Sequence, residues 1–143
     1  MGTRREAREL ALQALYQLDV TGEEDVGVGA HFGGSPEAIV FARELVDGVR
    51  SERERIDALI AAASQHWRLP RLSRVDLSLL RLSTFELLAC PDIPASVTID
   101  EAVEIARRFG SEDSAAFVNG VLDAIATSVG AKDKDKEKTG QPE

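Results

Sequence analysis

One apolar stripe with a three-then-four residue repeat recurs along most of this chain, and it restricts the fold to helices. Ala7, Leu10, Ala11, Ala14, Leu15 and Leu18 fall at i, i+3, i+4, i+7, i+8 and i+11, one face of a helix over residues 4–18. No segment alternates Val, Ile or Thr with polar residues as a half-buried strand would. Residues 19–35 hold five glycines and four acids and carry no periodic face, so they read as a long loop. Ser35-Pro36 then offers an N-cap followed by proline at the first helical position. The second helix buries Ala38, Ile39, Ala42, Leu45, Val46 and Val49.

Ser51-Glu52-Arg53-Glu54 has the form of a capping box and predicts a third helix with the face Ile56, Leu59, Ile60, Ala63, Trp67, ended by Pro70. A fourth helix over 73–90 is apolar on most sides (Val75, Leu77, Leu79, Leu80, Leu82, Phe85, Leu87, Leu88), the mark of a central buried helix. Pro91 and Pro94 end it. Thr98-Ile99-Asp100-Glu101 is a second capping-box sequence, predicting a fifth helix to Phe109 that Gly110 stops. Ser111 is placed to cap a sixth, with the stripe Ala115, Val118, Leu122, Ile125, Val129. The expectation is an all-α domain of six to seven helices over residues 1–130. A charged tail, 131–143, alternates Lys with Asp and Glu and is expected to stay disordered and dispensable.

With 143 residues the chain suits one domain, and 43% apolar against 29% charged residues gives it a core to bury. No run approaches the ~20 apolar residues that cross a bilayer. The N-terminus turns acidic at Glu6 before any apolar stretch, so it is no secretory signal. Glu6 also stands where a myristoylation motif needs Ser or Thr. A single cysteine, Cys90, excludes an internal disulfide, and His31 and His66 are too far apart to build a metal cluster with it. These features fit the cytoplasm and imply no metal and no cofactor. The glycine-rich stretch 27–34 follows no strand, which removes a dinucleotide or phosphate-loop reading. No catalytic constellation emerges, so the chain is not expected to be an enzyme. His66 beside Trp67 reads as a packing or surface residue.

The net charge of −8 argues against a generic nucleic-acid binder. Yet the first helix is locally basic. At 100° per residue, Arg5, Arg8, Leu12 and Tyr16 fall within an arc of about 80° opposite the alanine–leucine stripe. Arginines there would contact phosphates while the tyrosine stacks on an unpaired base. The same pattern also describes a solvated helix face with one tyrosine. A second candidate is Arg107-Arg108-Phe109-Gly110-Ser111-Glu112-Asp113-Ser114, where the N–H groups of a helix start could receive a phosphate and Phe117 is partly exposed nearby. Its alternative is simple complementarity to the helix dipoles, with both phenylalanines in the core. Asn119-Gly120 inside a helical pattern implies either close helix approach or backbone exposed at a site.

Two ordered blocks carry a family resemblance. Arg4-Arg5-x-Ala7-Arg8-Glu9-x-Ala11-x-Gln13-Ala14-Leu15-Tyr16 resembles the opening of the NusB family of bacterial transcription antitermination factors. Ile93-Pro94, Ile99-Asp100-Glu101-Ala102-Val103, Phe109 to Ser114 and Phe117-Val118-Asn119-Gly120-Val121-Leu122-Asp123 resemble that family's C-terminal signature. With Arg81 and Glu86, the similarity spans residues 4–125. Asp100 departs from the usual Asn, and the 19–35 loop is unusually rich in glycine.

The resemblance implies two three-helix subdomains and no enzymatic activity. It implies binding to the boxA element of nascent ribosomal RNA transcripts, together with the small-subunit ribosomal protein NusE, in an antitermination complex with RNA polymerase and other Nus factors. RNA contacts would fall on Arg4, Arg5, Arg8, Gln13 and Tyr16, and on Phe109, Asp113, Phe117 and Asn119. The NusE-facing surface would include Asp76, Arg81, Asp100 and Glu101. A related helical domain begins an rRNA cytosine-5 methyltransferase family, but no methyltransferase sequence follows here. A protein-interaction scaffold without RNA binding is the third reading.

Overall fold

The fold, obtained as a computed structural model, is described over residues 2–22, 34–64 and 71–131. His31, His66, Trp67, Pro70, most of the 19–35 loop and residues 132–143 lie outside the described residues. Six helices are seen there and no strand: α1 (Gly2–Thr21), α2 (Pro36–Ser51), α3 (Arg53–Ser64), α4 (Arg74–Ala89), α5 (Ala95–Phe109) and α6 (Ser114–Ser128). The all-α expectation holds.

The fourth helix is central, as its all-round apolar pattern requires. It touches α1, α2, α3, α5 and α6, and Leu79, Leu80 and Leu82 on three different sides are fully buried. Around it α1 packs on α2 and α5 packs on α6. The arrangement is consistent with two three-helix units, but one continuous apolar core draws residues from all six helices. Burying a Leu or Ile side chain fully contributes roughly 1.5–3 kcal/mol, so this shared core dominates stability.

Helix starts explain where the pattern reading succeeded and failed. Ser35 Oγ accepts the Ala38 N–H at 3.2 Å, and Ser73 Oγ accepts the Asp76 N–H at 3.0 Å, both as N-caps. Ser51 does not open a capping box. It is the last residue of α2, and its hydroxyl donates back to the Gly48 carbonyl at 3.2 Å. Thr98 is likewise no cap, because α5 starts one turn earlier. The Pro94 carbonyl accepts the Val97 and Thr98 N–H groups there, and Thr98 is buried inside the helix. Ser111 reverses its expected role: its N–H donates to Ser114 Oγ at 2.9 Å. Ala131, the first residue of the expected tail, is packed into the core and its N–H bonds to the Ala126 carbonyl.

Gly120 lies on an exposed helix face, and a Cβ there would meet nothing within 4 Å, so it does not serve close helix approach. Gly48 does. A Cβ at Gly48 would collide with the ring of Phe85, where α2 crosses α4. The two glycines should therefore respond oppositely to alanine in urea denaturation. Gly48→Ala should destabilise by about 1–3 kcal/mol through overpacking. Gly120→Ala should stabilise by about 0.4–1 kcal/mol by restricting the unfolded chain.

Candidate nucleic-acid interface

The basic residues of α1 are stapled to the helices beside them. Arg8 is only 4% exposed and Glu86 of α4 is 0% exposed. Arg8 Nε sits 2.9 Å from Glu86 Oε2 and its NH2 2.9 Å from Oε1, a bidentate pair. One turn earlier, Arg5 makes a second fork to Glu101 of α5, at 3.0 and 2.9 Å. Glu101 also lies 4.0 Å from Arg8 NH1. Arg4 reaches Asp92 at 3.3 Å and stacks 4.7 Å over the Phe41 ring. Further along, Arg108 of α5 pairs with Glu9 and lies 5.2 Å over the Phe109 ring.

The expected exposed face of the first helix is thus corrected at two positions. Arg8 and Leu12 are buried, because α1 lies between α2 and α4, and Glu86 of α4 and Glu101 of α5 both meet the Arg8 guanidinium. Arg8 is held away from solvent and acts by fixing the helix that carries Arg5 and Tyr16. Arg4, Arg5 and Tyr16 stay accessible.

Tyr16 and Phe109, which the sequence placed in two separate patches, line one groove. Their exposures are 41% and 43%, and the groove encloses about 380 Å³ between α1, the start of α4 and the end of α5. Leu12, Val20 and Val75 make its walls apolar. Gln13 and Gln17 also line it, and the Oε1 atoms of both are buried without a hydrogen-bond partner. A buried acceptor left unpaired costs about 1–3 kcal/mol, a cost that a donor reaching either amide after a side-chain rotation would offset. Gln17 went unnoticed in the sequence, although its place one turn after Gln13 on the Tyr16 side was the available signal.

The start of α6 forms a second hollow of about 330 Å³, lined by Arg71, Ser73, Asp76, Ser111, Asp113 and Phe117 among others. Asp113 is exposed and makes no capping hydrogen bond with its side chain. Phe117 is half-buried against the core, and Asn119 is exposed.

The four residues expected to face a protein partner do not share one surface. Asp76 joins Asp113 and Phe117, with its Oδ1 buried and unpaired. Arg81, five residues on and so about 140° around α4, points elsewhere. It is 7% exposed and forks onto Asp57 of α3 at 2.8 and 3.1 Å, so it is no exposed partner contact. Asp100 is exposed at the start of α5, and Glu101 is tied to Arg5.

The hydrogen bonds from Arg5 hold the Glu101 carboxyl below the ordinary glutamate range, against the opposing effect of its partial burial. The same bonds push the Arg5 guanidinium up. A depressed carboxyl contributes stability above its unfolded pKa and loses it as pH falls through the folded value. Glu101→Gln should therefore melt below the unsubstituted protein at neutral pH. The gap should close as the pH is lowered past the ordinary glutamate range. Thermal melts followed by circular dichroism across that range check this.

The NusB family model matches residues 5–127. The transcription antitermination protein NusB of Myxococcus xanthus is 51% identical over 137 residues, which cover 90% of this chain and 98% of that protein. Among solved structures, T. maritima NusB superposes with a TM-score of 0.84 at 40% identity, over 93% of this chain and 96% of the other. NusB in the crystal structure of antitermination factors NusB and NusE in complex with dsRNA gives 0.78 at 30% identity, over 90% and 98%.

Proposed function

Because the chain belongs to the NusB family, we propose that it is a non-catalytic transcription antitermination factor. In this reading it binds boxA-type single-stranded RNA of nascent ribosomal RNA transcripts together with the ribosomal protein NusE, in the cytoplasm. The assembly includes RNA polymerase and other Nus factors. The observation that carries the reading is the groove in which Tyr16 and Phe109 stand half-exposed beside Gln13 and Gln17, whose Oε1 atoms lack a hydrogen-bond partner. Stacking on aromatics with hydrogen bonds to base edges is how proteins read unpaired RNA, since duplex grooves are poorly readable. A solved relative bound to both NusE and RNA supports the choice of partners. The Myxococcus relative is matched along nearly its whole length, which favours a factor of this size over a methyltransferase domain.

The division of labour follows from accessibility. Tyr16 and Phe109 stack on bases, while Gln13 reads an edge. Arg4 and Arg5 meet phosphates, each exchanging a carboxylate, Asp92 or Glu101, for the RNA. Asp113, Phe117 and Asn119 extend the surface past the α5–α6 junction. Asp100 and Glu101 at the start of α5, and separately Asp76 in the hollow beside α6, offer acidic groups to a basic ribosomal protein, which suits a chain of charge −8. No described helix is long and apolar enough to cross a membrane.

Binding of a boxA-type RNA, with and without NusE, tests this by mobility shift across a salt series. Tyr16→Ala and Phe109→Ala should each weaken binding by about 1–3 kcal/mol without changing the salt slope. Arg5→Ala should lower the slope by about 0.7 for its lost phosphate contact. Unchanged binding in all three folded variants would leave a protein scaffold as the better description. Asp113→Asn separates two effects of one charge. Losing its favourable place at the start of α6 should cost about 0.3–1 kcal/mol of stability. RNA affinity should rise, most at low salt where screening is weakest. Weaker RNA binding by a folded Asp113→Asn would mean that the carboxylate accepts a hydrogen bond from the RNA.

A further inference from the structure

A polar cleft of about 340 Å³ opens on the other side of α1 from the aromatic groove. Leu15, Leu18, Asp19 and Gly22 face it, and at 100° per residue this set lies nearly opposite Tyr16, Gln17 and Val20. Arg50 from the end of α2, Arg53 from the start of α3 and Arg81 from α4 complete the lining. Three guanidinium groups thus meet a single lining carboxylate, in a chain whose net charge is −8.

These arginines hold unused donor capacity. Arg81 has a side chain only 8% exposed and gives its Nε and NH2 to Asp57. Its NH1 lies 3.8 Å from the nearest carboxylate oxygen, on Asp19, beyond hydrogen-bond reach. Asp19 is itself taken by Arg74, at 2.9 Å to Oδ2 and 3.1 Å to its carbonyl. Arg53 makes only a long 3.4 Å contact with Asp57, and Arg50 has no ion-pair partner among the described residues. Planar forks with free N–H groups around a cleft match the oxygens of a phosphodiester.

Both sites reach the last turn of α1, the groove at Val20 and Thr21 and the cleft at Asp19 and Gly22. Val75 lines the groove, while the preceding residue, Arg74, is exposed and grips Asp19 of the cleft.

We propose that this arginine cleft binds the phosphate backbone of nucleotides flanking the segment held in the Tyr16–Phe109 groove. The proposal rests on the RNA-binding reading and adds a second, sequence-independent contact to it. The contact lengthens the bound strand.

Three RNAs decide the matter with the full chain: the shortest boxA-type strand that binds, and the same strand extended by uridines at the 5′ or the 3′ end. One extension should bind the unsubstituted protein more tightly and with a steeper salt slope. Arg50→Ala/Arg53→Ala should lose that gain, with a slope lower by about 1.4 for two phosphate contacts, while binding the shortest strand unchanged. Both side chains are exposed, and Arg50→Lys/Arg53→Lys, which keeps the charges, should restore most of the gain. Equal binding of all three RNAs, or a gain that survives the alanine variant, would overturn the cleft but leave the groove standing. So would a variant that loses NusE and keeps every RNA. Failure of even the shortest strand to bind would remove the RNA-binding reading, and this proposal with it.

Discussion

The buried fork between Arg8 and Glu86 is the interaction on which the candidate site depends. Two charges at 4% and 0% exposure are costly to desolvate, and only a bidentate geometry makes their pairing tolerable. Removing one partner would strand the other, a loss of about 3–5 kcal/mol in buried pairs of this kind. What the fork achieves is register. It fixes the rotation of α1 against the central helix, and that rotation decides which α1 side chains face outward. With Arg8 turned inward, Arg5 one turn before it meets Glu101, and Tyr16 two turns after it stands over the groove beside Phe109.

Much of the fold was legible in the sequence because helix burial is a local signal. The stripe of α2, its Ser35 cap and the all-round apolar character of α4 all appear as read. The errors share one cause. A capping box is a pattern of four residues, but whether a helix starts there depends on what its neighbours bury. Thr98 lies inside α5 because Ile93 and Ala95 already pack into the core ahead of it. Similarly, a helical wheel ranks the faces of one helix and says nothing of how many helices surround it. Arg8 sits at the edge of the stripe, about 20° from Leu15 on the wheel, and α4 covers that side, with Glu101 of α5 reaching its guanidinium. Gly48, which admits the Phe85 ring, carries no signature at all in a single sequence.

The site was half legible for the same reason. Tyr16 and Phe109 were each identified, 93 residues apart, but nothing in the order of residues brings them to one groove. The packing of α1 and α5 on α4, with the Arg5–Glu101 and Arg108–Glu9 pairs between them, does that. The partner-facing set spreads over different faces, with Arg81 held by Asp57 and Asp76 beside Asp113. Glu101, read as part of a surface, is also the counter-ion of Arg5, as Asp92 and Glu9 are of Arg4 and Arg108.

Those counter-ions shape how the protein can recognise RNA. Arg4, Arg5 and Arg108 are already paired with Asp92, Glu101 and Glu9. A phosphate arriving at any of them replaces one anion by another, and the displaced carboxylate remains close by. In the proposed reading the net electrostatic gain at these arginines is therefore small, and affinity leans on stacking at Tyr16 and Phe109, which salt does not screen. A basic partner changes that balance. Lysines or arginines brought against Glu101 or its neighbour Asp100 would take over the role of Arg5 as counter-ion and release its guanidinium toward the RNA. Coupling of this kind is reciprocal, so RNA that engages Arg5 leaves Glu101 free to attract the basic protein. In the proposed reading an acidic chain thus gains RNA affinity from a basic partner, with the selectivity set by the aromatic groove and the affinity by which cation its carboxylates hold.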